Sequence, residues 1–232
     1  MKSAERERYA RSIILDGVGY GGMNLLRGAT VTVVGVGGLG SAVVPLLAAQ
    51  GVGKLILVDG DRVELSNLPR QTLFGTNDVG TWKADLAGQR AKMLSPDAQV
   101  EVHTERLTMK NVGLLLRSAM VIDCTDNFET QYLLDAATGK HDVPMVWGAA
   151  EGYIGQVALL HGRRGLRLCD LFDPPEEEID LPDGVWPPLV HMVGTVMASE
   201  ALAFLLGWDC QLDGGLWTVD MRTYDTHHFW VV

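Results

Sequence analysis

Three clusters of residues in this chain are of the types that bind and polarise phosphates. The first is the run Gly35-Val36-Gly37-Gly38-Leu39-Gly40, which sets Gly35, Gly37 and Gly40 at the spacing G-x-G-x-x-G. Glycines so spaced allow a tight turn and a close approach of the backbone to phosphate, held at the positive start of a helix. The second begins with Asp59, at the end of the next apolar run, where a carboxylate can accept both hydroxyls of a ribose. After it come Asp61, Asn67, Arg70 and Gln71, and then Lys83. Arginine clamps phosphate oxygens in bidentate fashion, and lysine supplies a compact charge. Such groups beside a ribose-binding acid suit a triphosphate better than a dinucleotide; a solvated loop with a capped helix behind it is the plainer alternative. The third cluster is Asp123-Cys124-Thr125-Asp126-Asn127. A carboxylate there has two roles open to it. It can hold Mg²⁺ against the phosphates, since magnesium usually takes one or two protein carboxylates plus phosphate oxygens, or Asp126 can cap the helix that follows.

These residues need elements that bring them to one place. The β-branched run Thr30–Val34 predicts a buried strand leading into the glycines, and residues 41–50 predict an apolar helix behind them. Lys54–Val58 predicts a second buried strand, Lys83–Leu94 a helix, 99–105 an edge-type strand and 119–123 a third buried strand. A helix over 127–139 and a short strand over 145–147 follow. Strands alternating with helices imply βαβ units in a mostly parallel sheet, whose ligands bind outside the carboxyl ends of the strands. Ahead of this core, residues 4–12 read as a charged helix and 17–22 as a glycine-rich turn. After Gly152 the pattern changes to antiparallel strands at 156–161 and 166–169, an acidic, proline-rich stretch, an apolar core helix at 189–206 and strands at 216–220 and 226–231. The expected fold is therefore α/β: a Rossmann-like, mostly parallel sheet with helices on both faces, extended by antiparallel strands in the C-terminal third. One domain spans 1–232, with the nucleotide in 1–150 and a substrate surface in 151–232.

Composition narrows the function classes. The 232 residues are 47% hydrophobic and 21% charged, enough for a full core, and carry a net charge of −10. That balance disfavours nucleic acid as a partner, because binding there is driven by neutralising phosphates. Cys124, Cys169 and Cys210 are widely spaced and form no C-x-x-C pair, so neither a paired-cysteine zinc site nor a disulfide framework is expected. The charged start is unlike a signal peptide, and no apolar run of membrane-spanning length stands out; no membrane is expected and the cytoplasm is the expected compartment. His227 and His228 fall in a strand pattern where neighbours face opposite sides, so a shared metal is not expected. The run Glu176-Glu177-Glu178 reads as a solvated face or as a patch meeting a basic partner.

The motifs together resemble the MoeB/ThiF/HesA family, the bacterial relatives of ubiquitin-activating enzymes. The matching stretches are Arg8-Tyr9-Ala10-Arg11, GVGGLGS (35–41), LVDGDRVELSNLPRQ (57–71), Lys83, DCTDN (123–127) and GVWPPLV (184–190), in family order. The resemblance implies adenylation, by ATP and Mg²⁺, of the C-terminal glycine of a small ubiquitin-like protein ending in Gly-Gly. It makes Asp59 the ribose acid, with Asn67, Arg70 and Lys83 lining the phosphates and Asp126 binding magnesium. Arg11 would reach into the site of a second subunit, so a homodimer is implied. Gly38, Asp61, Gln71 and Asn127 complete the expected nucleotide-binding set.

Three departures stand out. Many relatives carry two C-x-x-C pairs that bind zinc, whereas here Arg167-Leu168-Cys169-Asp170 precedes Leu171-Phe172, and no zinc is expected. Where relatives often have a crossover-loop cysteine this chain has Asp180-Leu181-Pro182-Asp183, so thioester or persulfide chemistry from that loop is not expected. The family's SNLQRQ becomes SNLPRQ at Pro69, and an arginine often found in DNxxTR is Gln131. The losses suit an enzyme that stops at the acyl-adenylate. A non-catalytic scaffold binding nucleotide and a ubiquitin-like partner, adenylation of a small-molecule carboxylate, and an NAD-dependent oxidoreductase are the competing readings.

Overall fold

Five β-branched and apolar residues in a row, Thr30–Val34 (β1), are covered by helices on both faces, which is why they form a continuous strand instead of an alternating one. A computed structural model describes residues 3–173 and 184–232. Beside β1 lie β2 (Lys54–Val58), β3 (Gln99–His103), β4 (Met120–Asp123) and β5 (Met145–Glu151). The last three strands are β6 (Ile154–Leu160), β7 (Gly215–Asp220) and β8 (Asp225–Trp230). They make one sheet in the order β3-β2-β1-β4-β5-β6-β7-β8. Pairing is parallel from β3 to β5 and antiparallel from β5 to β8. The chain winds outward from β1 in one direction to β3 and in the other from β4, so the strand order reverses between β1 and β4. That is where an open α/β sheet leaves a crevice.

The helices are α1 (Ser3–Arg8), α2 (Ala10–Ile13), α3 (Gly19–Gly28), α4 (Gly38–Gln50), α5 (Lys83–Leu94), α6 (Phe128–Lys140), α7 (Leu168–Leu171) and α8 (Pro187–Leu205). One sheet face packs on α4, α5 and α8 through Val43, Leu47, Ala87, Leu189, Val193 and Met197. The other packs on α6 and its neighbours through Leu115, Leu134, Trp147 and Leu166. This is the expected Rossmann-like arrangement, with the antiparallel strands completing the same sheet.

Several elements differ from expectation. The expected glycine-rich turn at 17–22 is already helical from Gly19, because Met23 and Leu26 of α3 are fully buried and tertiary packing outweighs glycine's poor propensity. The charged helix at 4–12 breaks at Tyr9, whose ring is buried against Gly51. A strand at 166–169 is replaced by α7, whose start is tied down where Asp170 accepts from the Arg167 N–H (2.9 Å) and Asp135 from the Leu168 N–H (3.0 Å). β5 outruns its expected three residues because β6 pairs with all seven. Contrary to the expectation that no apolar run is long enough, α8 has the length and composition to cross a membrane; here it lies against α4 with Leu189, Val190, Val193, Gly194, Met197, Ala198 and Ala201 buried. The acidic run 176–178 and the segment 180–183 lie outside the described residues.

Candidate active site

The glycine loop leaves β1 at the strand-order reversal. Gly35 has φ +82°, and a Cβ there would stand 2.7 Å from the Cys124 carbonyl oxygen in the loop after β4. A Cβ on Gly40 would meet the Gly35 carbonyl at 2.6 Å, and one on Gly38 would meet Val190 Cγ1 of α8 at 2.6 Å. Those three glycines let protein pack on protein. Gly37 is different: the nearest atom to a Cβ there is the end of the Gln71 side chain, at 3.2 Å. Gly37 also caps α4, its carbonyl accepting from the Ser41 N–H (2.9 Å) and hydroxyl (2.7 Å). The first turn of α4 therefore presents its N–H groups and the positive end of its dipole to the crevice.

Asp59, at the end of β2, is only 9% exposed. Its Oδ2 accepts from the Val36 N–H of the glycine loop (2.8 Å) and its Oδ1 from the Asp61 N–H (2.8 Å). Burial raises its pKa, opposed by those two amides and by the Lys83 charge. A carboxylate has about four lone-pair sites, so both oxygens keep room for one further donor each. Asp61 is not free: its carboxylate pairs with Lys83 Nζ (3.1 Å) and Arg106 (3.5 Å), and its carbonyl accepts from the Lys83 N–H (3.0 Å). Lys83 thus stands buried at the first residue of α5, its charge paired with Asp61.

The segment between them is a 3₁₀ turn, Leu65–Asn67. Asn67 Oδ1 accepts from the Glu64 N–H (3.1 Å), and its carbonyl accepts from the N–H groups of Arg70 (3.1 Å) and Gln71 (3.0 Å). Pro69 falls between these bonds, so its missing N–H breaks none of them. Arg70 donates to the Ser66 carbonyl (3.2 Å). Gln71 is buried with Oε1 unpartnered among the described residues.

The loop after β4 crosses Gly35. Asp126 is exposed there and makes no hydrogen bond or ion pair among the described residues, while Asn127 takes the capping role, its Oδ1 accepting from the Thr130 N–H (2.9 Å). The alternative in which Asp126 caps α6 is thereby removed. Cys124 is buried and its thiol pKa is pushed well above the ordinary value, first by desolvation and then by the Asp123 charge; that suits an inert packing residue.

Arg11 is the one candidate the fold keeps away. It is exposed on α2, whose neighbours Tyr9 and Ser12 touch Gly51 and Gln50 at the far end of α4. The 13 residues of α4 separate that end from the glycine loop by about 20 Å.

Sequence reasoning named Asp123 and Thr125 within the third cluster and Val190 within a family stretch, and gave none of them a role of its own. A carboxylate closing an otherwise apolar strand was the available signal for Asp123. A cavity of about 610 Å³ on the antiparallel extension, lined by Glu151, Tyr153, Gln156, Gly184 and Arg222, also went unmarked.

Residues 9–231 match the ThiF family. The chain is 42% identical to the sulfur carrier protein adenylyltransferase of Thermus thermophilus, over 93% of this chain and 83% of that protein. It is 39% identical to the SAMP-activating enzyme E1 of Haloferax volcanii (97% and 86% covered) and 36% to the sulfur carrier protein ThiS adenylyltransferase of Escherichia coli (89% and 84%). Among solved structures, Escherichia coli MccB superposes with a TM-score of 0.86 at 18% identity, over 97% of this chain and 72% of that one. PaaA superposes with 0.82 at 21%, over 100% and 75%; at such identities the likeness is one of fold. With the glycine loop, Asp59 and the cation row set around one crevice, this chain belongs to the ThiF family, as an adenylyltransferase of the MoeB/ThiF type.

Proposed function

We propose that the chain uses ATP and Mg²⁺ to adenylate the C-terminal glycine of a small ubiquitin-like sulfur-carrier protein ending in Gly-Gly. The observation that carries this reading is the Asp59 carboxylate, which joins the glycine loop to the Asp61–Lys83 pair and keeps lone pairs for a ribose. Nucleotide chemistry fits the rest of the crevice. The amides at the start of α4 would face phosphate, with Gly37 letting it approach while Gly38 and Gly40 seat the loop on α8 and on Gly35. Arg70 and Lys83 would neutralise it, Asn67, Gln71 and Asn127 would shape the loops around it, and Asp61 would orient Lys83. No group of three or more His, Cys, Asp or Glu gathers as a metal cage among the described residues, and magnesium on a triphosphate needs only one or two carboxylates. Asp126 is the free one. Magnesium, when bound, supplies charge neutralisation at the phosphates.

In the reaction a glycine carboxylate oxygen attacks the α-phosphorus, an O–P bond forms, and the bond to the β-phosphate oxygen breaks to release pyrophosphate. The carboxylate is already ionised at neutral pH, so no general base is needed. Positioning and charge stabilisation by Arg70 and Lys83 carry the step. Arg11 sits beside the far end of α4, whose length of about 20 Å separates it from its own glycine loop. A part in adenylation would therefore have to be played at a second subunit's crevice, as in a homodimer with composite sites. We place the enzyme in the cytoplasm and end its chemistry at the acyl-adenylate, without zinc or a catalytic cysteine.

The test is ATP–pyrophosphate exchange with carrier proteins ending in Gly-Gly from the same genome. Exchange that requires the carrier and vanishes with Asp126→Ala is expected. ATP binding without exchange for any carrier would move the reading to a non-catalytic scaffold.

A further inference from the structure

In the loop that carries Asp126, every polar atom of Thr125 is engaged. Its N–H (3.0 Å) and its hydroxyl (2.7 Å) both donate to Asp123 Oδ1. Its carbonyl accepts from Gln131 Nε2 (3.2 Å) on α6. Asp123 is fully buried at the end of β4, and Gln131 is 5% exposed. Gln131 is anchored in turn by its own N–H to the Asn127 carbonyl (3.2 Å). On the other side the Cys124 N–H donates to the Val34 carbonyl of β1 (2.8 Å). So the residue before Asp126 is gripped from the sheet and from the helix, while the Asp126 side chain is exposed and has no hydrogen-bond or ion-pair partner among the described residues.

Burying a carboxylate and an amide so deeply is costly unless their polar atoms are hydrogen-bonded. Asp123 Oδ2 has no partner among the described residues, so packing alone gives a poor account of an acid at this position. An apolar residue would fill the strand end at lower cost. What the acid and the amide supply together is a fixed backbone at Thr125.

We infer that Asp123 and Gln131 are positioning residues, which clamp Thr125 and thereby hold the Asp126 carboxylate at the angle needed to share a divalent cation with the nucleotide. The inference rests on the nucleotide reading of the crevice. It also assigns a role to Gln131, at the place where the family resemblance calls for arginine: a neutral donor reaches the Thr125 carbonyl without setting a second charge inside the fold. Outer groups that orient a metal-binding residue are typically worth 10- to 100-fold in metal affinity.

The experiment uses the full chain with Asp123→Ala, Asp123→Asn and Gln131→Met. ATP affinity is measured by calorimetry across a magnesium titration, beside amide hydrogen exchange over residues 123–131 in nucleotide-free protein. In Asp123→Ala and Gln131→Met, the magnesium needed for half-maximal enhancement of ATP binding should rise by about 10- to 100-fold. The Thr125 and Asp126 amides should exchange faster, and ATP affinity without magnesium should stay within about threefold of wild type. Asp123→Asn keeps the accepting oxygen and should restore the magnesium requirement to within about threefold of wild type. A merely structural role would lower the unfolding midpoint and leave the magnesium requirement where it is; that outcome in both variants overturns the clamp. If Asp123→Ala does not fold, Gln131→Met and Asp123→Asn decide the matter by the same readouts. Wild-type ATP affinity that ignores magnesium would instead overturn the role of Asp126, and the clamp with it.

Discussion

If Asp59 holds the ribose as proposed, removing it should weaken the empty protein as well as its grip on nucleotide. Asp59→Ala deletes acceptors for the Val36 and Asp61 amides, both at 2.8 Å, and Val36 is completely buried. Hydrogen bonds to a charged group contribute about 1.5–3 kcal/mol each, so the pair is worth about 3–6 kcal/mol. Against that stands relief from burying the carboxylate, whose desolvation already raises its pKa. A net loss of about 3 kcal/mol remains, which for a domain of this size lowers the unfolding midpoint by about 6–12 °C. Asp59→Asn retains one acceptor and should fall between. The assay is thermal unfolding of nucleotide-free protein by calorimetry, with ATP binding measured separately. If Asp59→Ala binds no ATP yet unfolds within about 2 °C of wild type, the carboxylate is a ribose ligand only. The glycine loop would then be held by something else.

Two further outcomes follow from groups already placed. Burial pushes the Asp123 carboxyl from its ordinary 3.8 up to about 7. The folded chain therefore keeps a proton that the unfolded chain loses, and this group's stabilising contribution declines as pH rises from about 4 to about 7 before levelling off. Asp123→Asn abolishes that loss, so its unfolding midpoint should gain on wild type between pH 5 and pH 8; midpoints that track in parallel would refute the shift. Separately, inactive Arg11→Ala and inactive Asp126→Ala proteins, mixed and allowed to exchange subunits, should recover about a quarter of wild-type exchange, since half the dimers hold one complete site. No recovery would place Arg11 outside the neighbouring site.

The central fold was legible where one force set the outcome. β1, β2 and α5 have the bounds their apolar and charged patterns predict, because each buries its own apolar residues against the sheet core. The glycine loop and the loop after β4 were placed at one crevice by the rule for open α/β sheets, and they do cross at Gly35. Legibility failed where a distant contact decided. α3 is helical on account of Met23 and Leu26 in the core; α7 is turned by a carboxylate from α6; β5 is lengthened by β6. In the site, residue types announced charge but not its commitments. Nothing in the order Asp61…Lys83 says that the two are paired, or that Asn127 in place of Asp126 caps α6. Asp123 was named in the third cluster without a role of its own, because an acid at a strand end is normally exposed, and this one is enclosed by the loop it holds.

The close approach of Gly38 to Val190 has a bearing on how such a chain can diverge. With 2.6 Å between a would-be Cβ and Val190 Cγ1, and Val190 itself buried, neither position can gain a carbon on its own. The two sites form an epistatic pair, in which a smaller residue at 190 is the permissive step and a larger one at 38 can follow but not precede it. A lineage that kept Val190 would have position 38 of its glycine loop held at glycine, and a library that randomised position 38 alone would not reach the alternative.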